Sequence, residues 1–189
     1  MDLRTFLLIF CLSGIVLLDS CKQQADDNSI EALQEKFREV TSSTSANGPV
    51  NQEEIKGVML QLAQAYEREA EGQADADLAA KNWYKAAELY ETNMMDIGKA
   101  LQIFDKIIQT YPAHDRAADA LFKKGYIYHN TLRDLDKAKV AYLDFLEKYP
   151  EHDLVNSARF EIENLGVPAK ELLERIQQTD STEASNGPS

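Results

Sequence analysis

Apolar residues recur along the chain at spacings of three and four, the period of a helix buried on one side. Ile55, Val58, Met59, Leu62 and Tyr66 make one such stripe across residues 52–70. Gly72 and the small polar residues of 71–76 end it. A shorter stripe of Ile30, Leu33, Phe37 and Val40 lies upstream, with Asn28 or Ser29 placed to cap its start. No stretch alternates with a period of two over a useful length. The two Asn-Gly pairs sit among Ser and Pro rather than between β-rich runs. The pattern predicts an all-α chain.

The second half of the pattern repeats. Asp96-Ile97-Gly98-Lys99-Ala100 returns as Asp134-Leu135-Asp136-Lys137-Ala138, and Tyr111-Pro112-Ala113-His114-Asp115 returns as Tyr149-Pro150-Glu151-His152-Asp153, both 38 residues later. Between these anchors Phe104 matches Tyr142, Ile107 matches Phe145 and Ile108 matches Leu146. Upstream, Trp83 and Tyr84 match Leu121 and Phe122, Ala87 matches Gly125, and Tyr90 matches Tyr128. A two-helix unit of this period predicts an α-α solenoid.

Each repeated position has a physical role. Ala87, Gly125, Ala100 and Ala138 are small enough for two helices to touch, and Tyr90, Phe104, Tyr128 and Tyr142 fill the space beside them. Pro112 and Pro150 end the second helices, and Asp115 and Asp153 are expected as N-caps of the helices that follow. A third first-helix carries Leu154, Ala158, Phe160 and Ile162, and Gly166 is expected to end it as a C′ glycine. Pro168 opens a last helix with Leu172, Leu173 and Ile176, expected to cap the open end of the stack.

The unit resembles the tetratricopeptide repeat, whose pattern is Trp, Leu-Gly and Tyr in the first helix, then Ala, an aromatic, Ala and Pro. Trp83, Ala86-Ala87, Tyr90, Ala100, Phe104, Ile107 and Pro112 hold those places in one unit. Leu121, Gly125, Tyr128, Ala138, Tyr142, Phe145 and Pro150 hold them in the next. A longer inter-helix loop, and a bulky residue in place of the second helix's last Ala, are similar to the long repeats of envelope proteins of the BamD and YbgF families. The resemblance spans roughly residues 76–166. It implies a concave groove lined by first helices that receives a peptide or a partner's helix. Lys81, Tyr84, Glu88 and Glu91 would come from one unit, Asp119, Phe122, Tyr126, His129 and Asn130 from the next, and Phe160 from the third. Phe122, Tyr126 and His129 form a second stripe beside the core stripe of Ala118, Leu121, Gly125 and Tyr128. Two readings of these rings stay open: they meet a partner, or they pack within the protein.

The start of the chain changes the picture of where the stack resides. Arg4 precedes an apolar run over residues 6–18, which as a helix spans about 20 Å, short of the roughly 30 Å hydrocarbon core, so it reads as an export signal. Leu18-Asp19-Ser20-Cys21 resembles the bacterial lipobox at Leu18, Ser20 and Cys21, and departs from it at Asp19. The resemblance implies that Cys21 becomes a lipidated first residue, anchoring the protein to the bacterial cell envelope, in the outer membrane. The organisation expected is a signal peptide over 1–20, a lipidated tether with a short helix over 21–50, the helical domain over 51–178 and a disordered tail over 179–189. Residues 41–49 (TSSTSANGP) read as a flexible linker.

Composition narrows the chemistry. With 20 Lys and Arg against 32 Asp and Glu, the net charge of −12 excludes a nucleic-acid partner. Cys11 falls in the expected signal, so Cys21 would be alone and no disulfide or Cys-based metal site is expected. Of the three histidines, His114 and His152 hold equivalent places at helix starts, and His129 lies in the groove set. HExxH, GxSxG and a phosphate-binding Gly loop are all missing. The sequence therefore predicts neither an enzyme nor a metal or cofactor site. Three roles remain: a lipid-anchored scaffold for other envelope proteins, a self-associating structural subunit, and a capture protein for a small molecule or carbohydrate.

Overall fold

The computed structural model describes residues 28–47, 52–92, 96–168 and 170–171. Cys21 and the expected export signal, the tail, and Leu172, Leu173 and Ile176 of the expected capping helix lie outside the described residues. Among the described residues seven α-helices run in order: α1 Ile30–Asn47, α2 Gln52–Gly72, α3 Ala76–Glu91, α4 Ile97–Thr110, α5 Asp115–Tyr126, α6 Leu135–Lys148 and α7 Val155–Glu163. A π-helical turn, Ile127–Thr131, extends α5. No strand occurs among the described residues. The chain divides into two compact units, Met1–Ile103 and Phe104–Ser189.

In the first unit, α2 packs against both α1 and α3. Val58, Met59, Leu62 and Tyr66 of the expected stripe are buried on α2, facing Leu33 of α1 and the Ala79, Ala80, Trp83, Ala86, Ala87 face of α3. The Gln34 amide of α1 donates to the Tyr66 hydroxyl at 2.8 Å. The first helix also runs further than its apolar stripe. Residues 41–47, expected as linker, are helical. Thr41 Oγ1 donates to the Phe37 carbonyl at 2.8 Å and Ser42 Oγ to the Glu39 carbonyl at 3.1 Å, so the hydroxyls bond back along the helix instead of competing with it.

Helix ends are set by local chemistry. Ser29 Oγ accepts from the Ala32 amide and Asp75 Oδ1 from the Asp77 amide, starting α1 and α3. The repeated Asp96 and Asp134 have one function: each carboxylate accepts from the amide three residues on, at 2.8 Å and 3.1 Å, and opens a second helix. Asp115 and Asp153 are not the caps expected of them. His114 Nδ1 accepts from the Arg116 amide at 2.9 Å, and His152 Nδ1 from the Leu154 amide at 3.2 Å. An imidazole Nδ1 reaches the same amide as an Asn or Asp oxygen, and a backbone N–H can only donate, so both Nδ1 atoms are unprotonated acceptors. Asp115 is then the first residue of α5, where its charge faces the positive end of the helix dipole.

The second unit is built round one close approach. Its core joins Ala118 and Leu121 of α5, Ala138, Ala141, Tyr142 and Phe145 of α6, and Ala158 of α7. Gly125 faces the Tyr142 ring so closely that a Cβ there would stand 2.6 Å from Tyr142 Cε1. The loop expected to be long between first and second helix is partly helical, since the π turn takes up residues 127–131. Arg133 then reverses the chain at φ 56°, in the left-handed region. The Tyr149 hydroxyl donates to the Pro112 carbonyl at 3.0 Å and ties the two Tyr-Pro turns together. Gly166, expected as the C′ glycine, stands two residues past the Asn164 C-cap of α7 and takes φ 78° in the turn closed by the Val167 amide and the Asn164 carbonyl.

Two substitutions at glycine test this packing with opposite signs. Gly57→Ala lies on an exposed face of α2 with nothing within 4 Å and should stabilise the protein by about 0.5–1 kcal/mol in urea denaturation. Gly125→Ala should instead lose about 1–3 kcal/mol, because Tyr142 is fully buried and has nowhere to retreat. Equal stability of Gly125→Ala and the parent would refute the close approach. The caps are tested likewise. His114→Ala should cost about 0.5–2 kcal/mol, with His114→Asn recovering most of it; a larger loss from Asp115→Ala would return the cap to the aspartate.

Candidate functional site

The residues expected to line a groove fall into the two units. In the first unit, Lys81 is exposed and paired with Asp77 at 2.6 Å, Glu88 is exposed, and Tyr84 and Glu91 are half-buried. Glu88 borders a 210 Å³ hollow shared with Leu62, Tyr66, Lys85 and Leu89. Lys85 Nζ stands 5.3 Å above the Tyr66 ring there, a cation–π contact absent from the expected set. Behind it, the Tyr90 hydroxyl donates to Glu67 Oε1 at 2.5 Å, and Lys99 Nζ pairs with Glu67 Oε2 at 2.8 Å. Burial first, then the hydrogen bond and charge of Glu67, push the Tyr90 phenol pKa well up and keep it un-ionised. A cleft of 690 Å³ opens between α1, α2 and α3, floored by Ala65 and Tyr66 and rimmed by Gln34, Arg68, Asn82 and Lys85.

In the second unit the expected residues divide by role. Phe122 is a packing residue: its ring centroid lies 5.5 Å from that of Tyr142 and 5.8 Å from that of Phe145, in tilted and edge-on contact. Of the two readings left open for these rings, Phe122 follows the packing one, because an aromatic side chain one position off the core stripe is long enough to reach the partner helix. Asp119 is held within the protein, accepting from Arg116 at 2.8 Å with His152 Nε2 at 3.7 Å. Tyr126 keeps an open surface at 40% exposure, with Lys123 Nζ 5.5 Å from its ring centroid. Asn130 is exposed and donates to the Tyr126 carbonyl. Phe160 is 44% exposed on α7.

His129 brings in a residue the sequence reading did not choose. Its Nδ1 lies 3.1 Å from Glu161 Oε2 on α7, joining the π turn to the third first-helix. Tyr142 completes the group. Its hydroxyl is fully buried and approaches the Glu161 carboxylate without reaching a well-formed hydrogen bond among the described residues. Burial chiefly, then the Glu161 charge, Tyr126 and the hydrogen-bonding approach of Glu161, raise the Tyr142 pKa far above the ordinary phenol value. No period in the sequence signals the His129–Glu161 pair, because the π turn that presents His129 breaks the helical spacing.

No group of three or more His, Cys, Asp or Glu side chains able to hold a metal ion occurs among the described residues. None of the helices searched is long and apolar enough to cross a membrane.

Comparison with known protein families gives a match. The family model described as tetratricopeptide repeat matches residues 119–152, which takes in α5 from Asp119 onward, the π turn, α6 and the second Tyr-Pro turn. No curated protein and no solved structure matches the chain. The all-helical architecture and this match together make the chain an α-α solenoid that carries a tetratricopeptide repeat at residues 119–152.

Proposed function

We propose that this protein is a lipid-anchored scaffold of the bacterial cell envelope that binds other proteins, serving outer-membrane assembly or envelope maintenance. A tetratricopeptide repeat is a non-enzymatic interaction scaffold, and its presence at residues 119–152 is the observation that carries the reading. The open Tyr126 ring, Asn130 and Phe160 on first helices suit a protein-binding surface of aromatic and polar groups. The lipobox-like Leu18-Asp19-Ser20-Cys21 supplies the anchor. Eight residues separate Cys21 from α1, a reach of at most roughly 30 Å, so the anchor keeps the first unit close to the bilayer. Several acyl chains on one cysteine hold stably, since each buried CH₂ contributes about 0.8 kcal/mol.

Metabolic labelling with a fatty-acid analogue tests the anchor. The parent should be labelled in the membrane fraction, and Cys21→Ser should carry no label; equal labelling of both contradicts the anchor. Purification from gently solubilised membranes, read by mass spectrometry, tests the scaffold. It should recover foreign envelope proteins in fixed ratio, whereas recovery of this chain alone would favour a self-associating subunit.

A further inference from the structure

Most cations of the first unit meet a carboxylate within it. Arg38 pairs with Glu35, Lys56 with Glu53, Lys81 with Asp77 and Lys99 with Glu67. Lys36, Arg68 and Lys85 make no ion pair among the described residues. Two of these three, Arg68 and Lys85, line the 690 Å³ cleft between α1, α2 and α3. Glu31 and Glu69 line it as well, and neither is ion-paired among the described residues. Two positive and two negative charges thus border one space without meeting each other. Charges held apart in this way suit a ligand that carries both signs.

These groups can receive a ligand as they stand, since the cleft is already open. Arg68 uses one of its five N–H groups on the Asn28 carbonyl, at 3.5 Å. Lys85 lies over the Tyr66 ring, a contact made by its charge that leaves its N–H groups without an acceptor oxygen among the described residues. Asn82, one turn before Lys85 on the same face of α3, has no side-chain hydrogen bond among the described residues. Leu78, one turn further back, adds an apolar surface that is 45% exposed.

We propose that this cleft holds the headgroup of an ethanolamine phospholipid, with Arg68 and Lys85 on the phosphate, Glu31 and Glu69 on the ammonium, and Leu78 against the glycerol stem. This rests on the anchor in the proposed function. One wall of the cleft is the start of α1, from Asn28 to Glu31, and Asn28 follows Cys21 by seven residues. A lipidated Cys21 therefore keeps that wall within at most roughly 25 Å of the membrane surface, where headgroups are concentrated. The net charge of −12 disfavours anionic lipid. A choline headgroup fits less well, because its methylated nitrogen has no N–H for the carboxylates and calls for an open aromatic face. The Tyr66 ring is only 5% exposed and already lies under Lys85. Headgroup capture would fix the face that the first unit turns to the bilayer.

The test titrates the full chain, in detergent, with glycerophosphoethanolamine, glycerophosphocholine, glycerophosphate and ethanolamine, followed by calorimetry. Glycerophosphoethanolamine should bind about tenfold or more tighter than the other three. Arg68→Gln and Glu69→Gln, both at exposed helix positions, should each weaken it about tenfold, and Lys36→Gln, outside the cleft, should leave it unchanged. Equal affinity for glycerophosphate would mean an anion site only, and equal affinity for glycerophosphocholine would remove the role of the carboxylates; either overturns the proposal. So does an affinity unchanged by Arg68→Gln, a failure of all four headgroups to bind, or tighter binding of the peptide Ala-Asp-Lys-Ala, which would give the cleft to a protein partner. Acyl labelling at Cys21 is unaffected by any of these results and tests the anchor separately.

Discussion

The second unit depends on one spacing, the contact of Gly125 with the Tyr142 ring. A glycine in α5 gives up side-chain packing and helix propensity, roughly 1 kcal/mol against alanine, and in return α6 comes close enough for a fully buried aromatic to lie against its backbone. Other features of the unit are arranged round that ring. Phe122 packs on it from α5, Phe145 extends the aromatic cluster along α6, and Glu161 of α7 stands near its hydroxyl.

What could be read from the sequence was whatever depends on period and on single-residue backbone chemistry. The α2 stripe is buried as its spacing requires, the 38-residue recurrence marks α4 and α6, Asp96 and Asp134 start them, and Gly166 takes the left-handed turn. The errors are equally specific. Residues 41–47 looked like linker because Ser and Thr favour turns, but their hydroxyls can bond back to helix carbonyls and leave the helix intact. Asp115 and Asp153 looked like caps by residue type, but His114 caps α5 through Nδ1, and His152 makes the matching bond to the Leu154 amide in the turn before α7, whose start has no side-chain cap.

The candidate site was less legible for a different reason. A helical wheel assigns Phe122 to a face, but whether its ring faces out or folds onto Tyr142 depends on the depth of the neighbouring helix. The His129–Glu161 pair spans 32 residues in sequence and is made by the π turn, which no period predicts. The unsatisfied Tyr142 oxygen emerges only when burial and hydrogen bonding are counted atom by atom. Repeats make such exceptions visible, because Phe104, the match of Tyr142, fills the same position without an oxygen.

Site-specific crosslinking in cells addresses the central claim directly, that the first-helix face of the tetratricopeptide repeat meets another protein. A photoreactive phenylalanine analogue is placed at Tyr126, on that face, and separately at Val140, which is 61% exposed on α6. The account predicts an adduct with a foreign protein from position 126 and little or none from position 140. Adducts from position 140 with none from position 126 would contradict it.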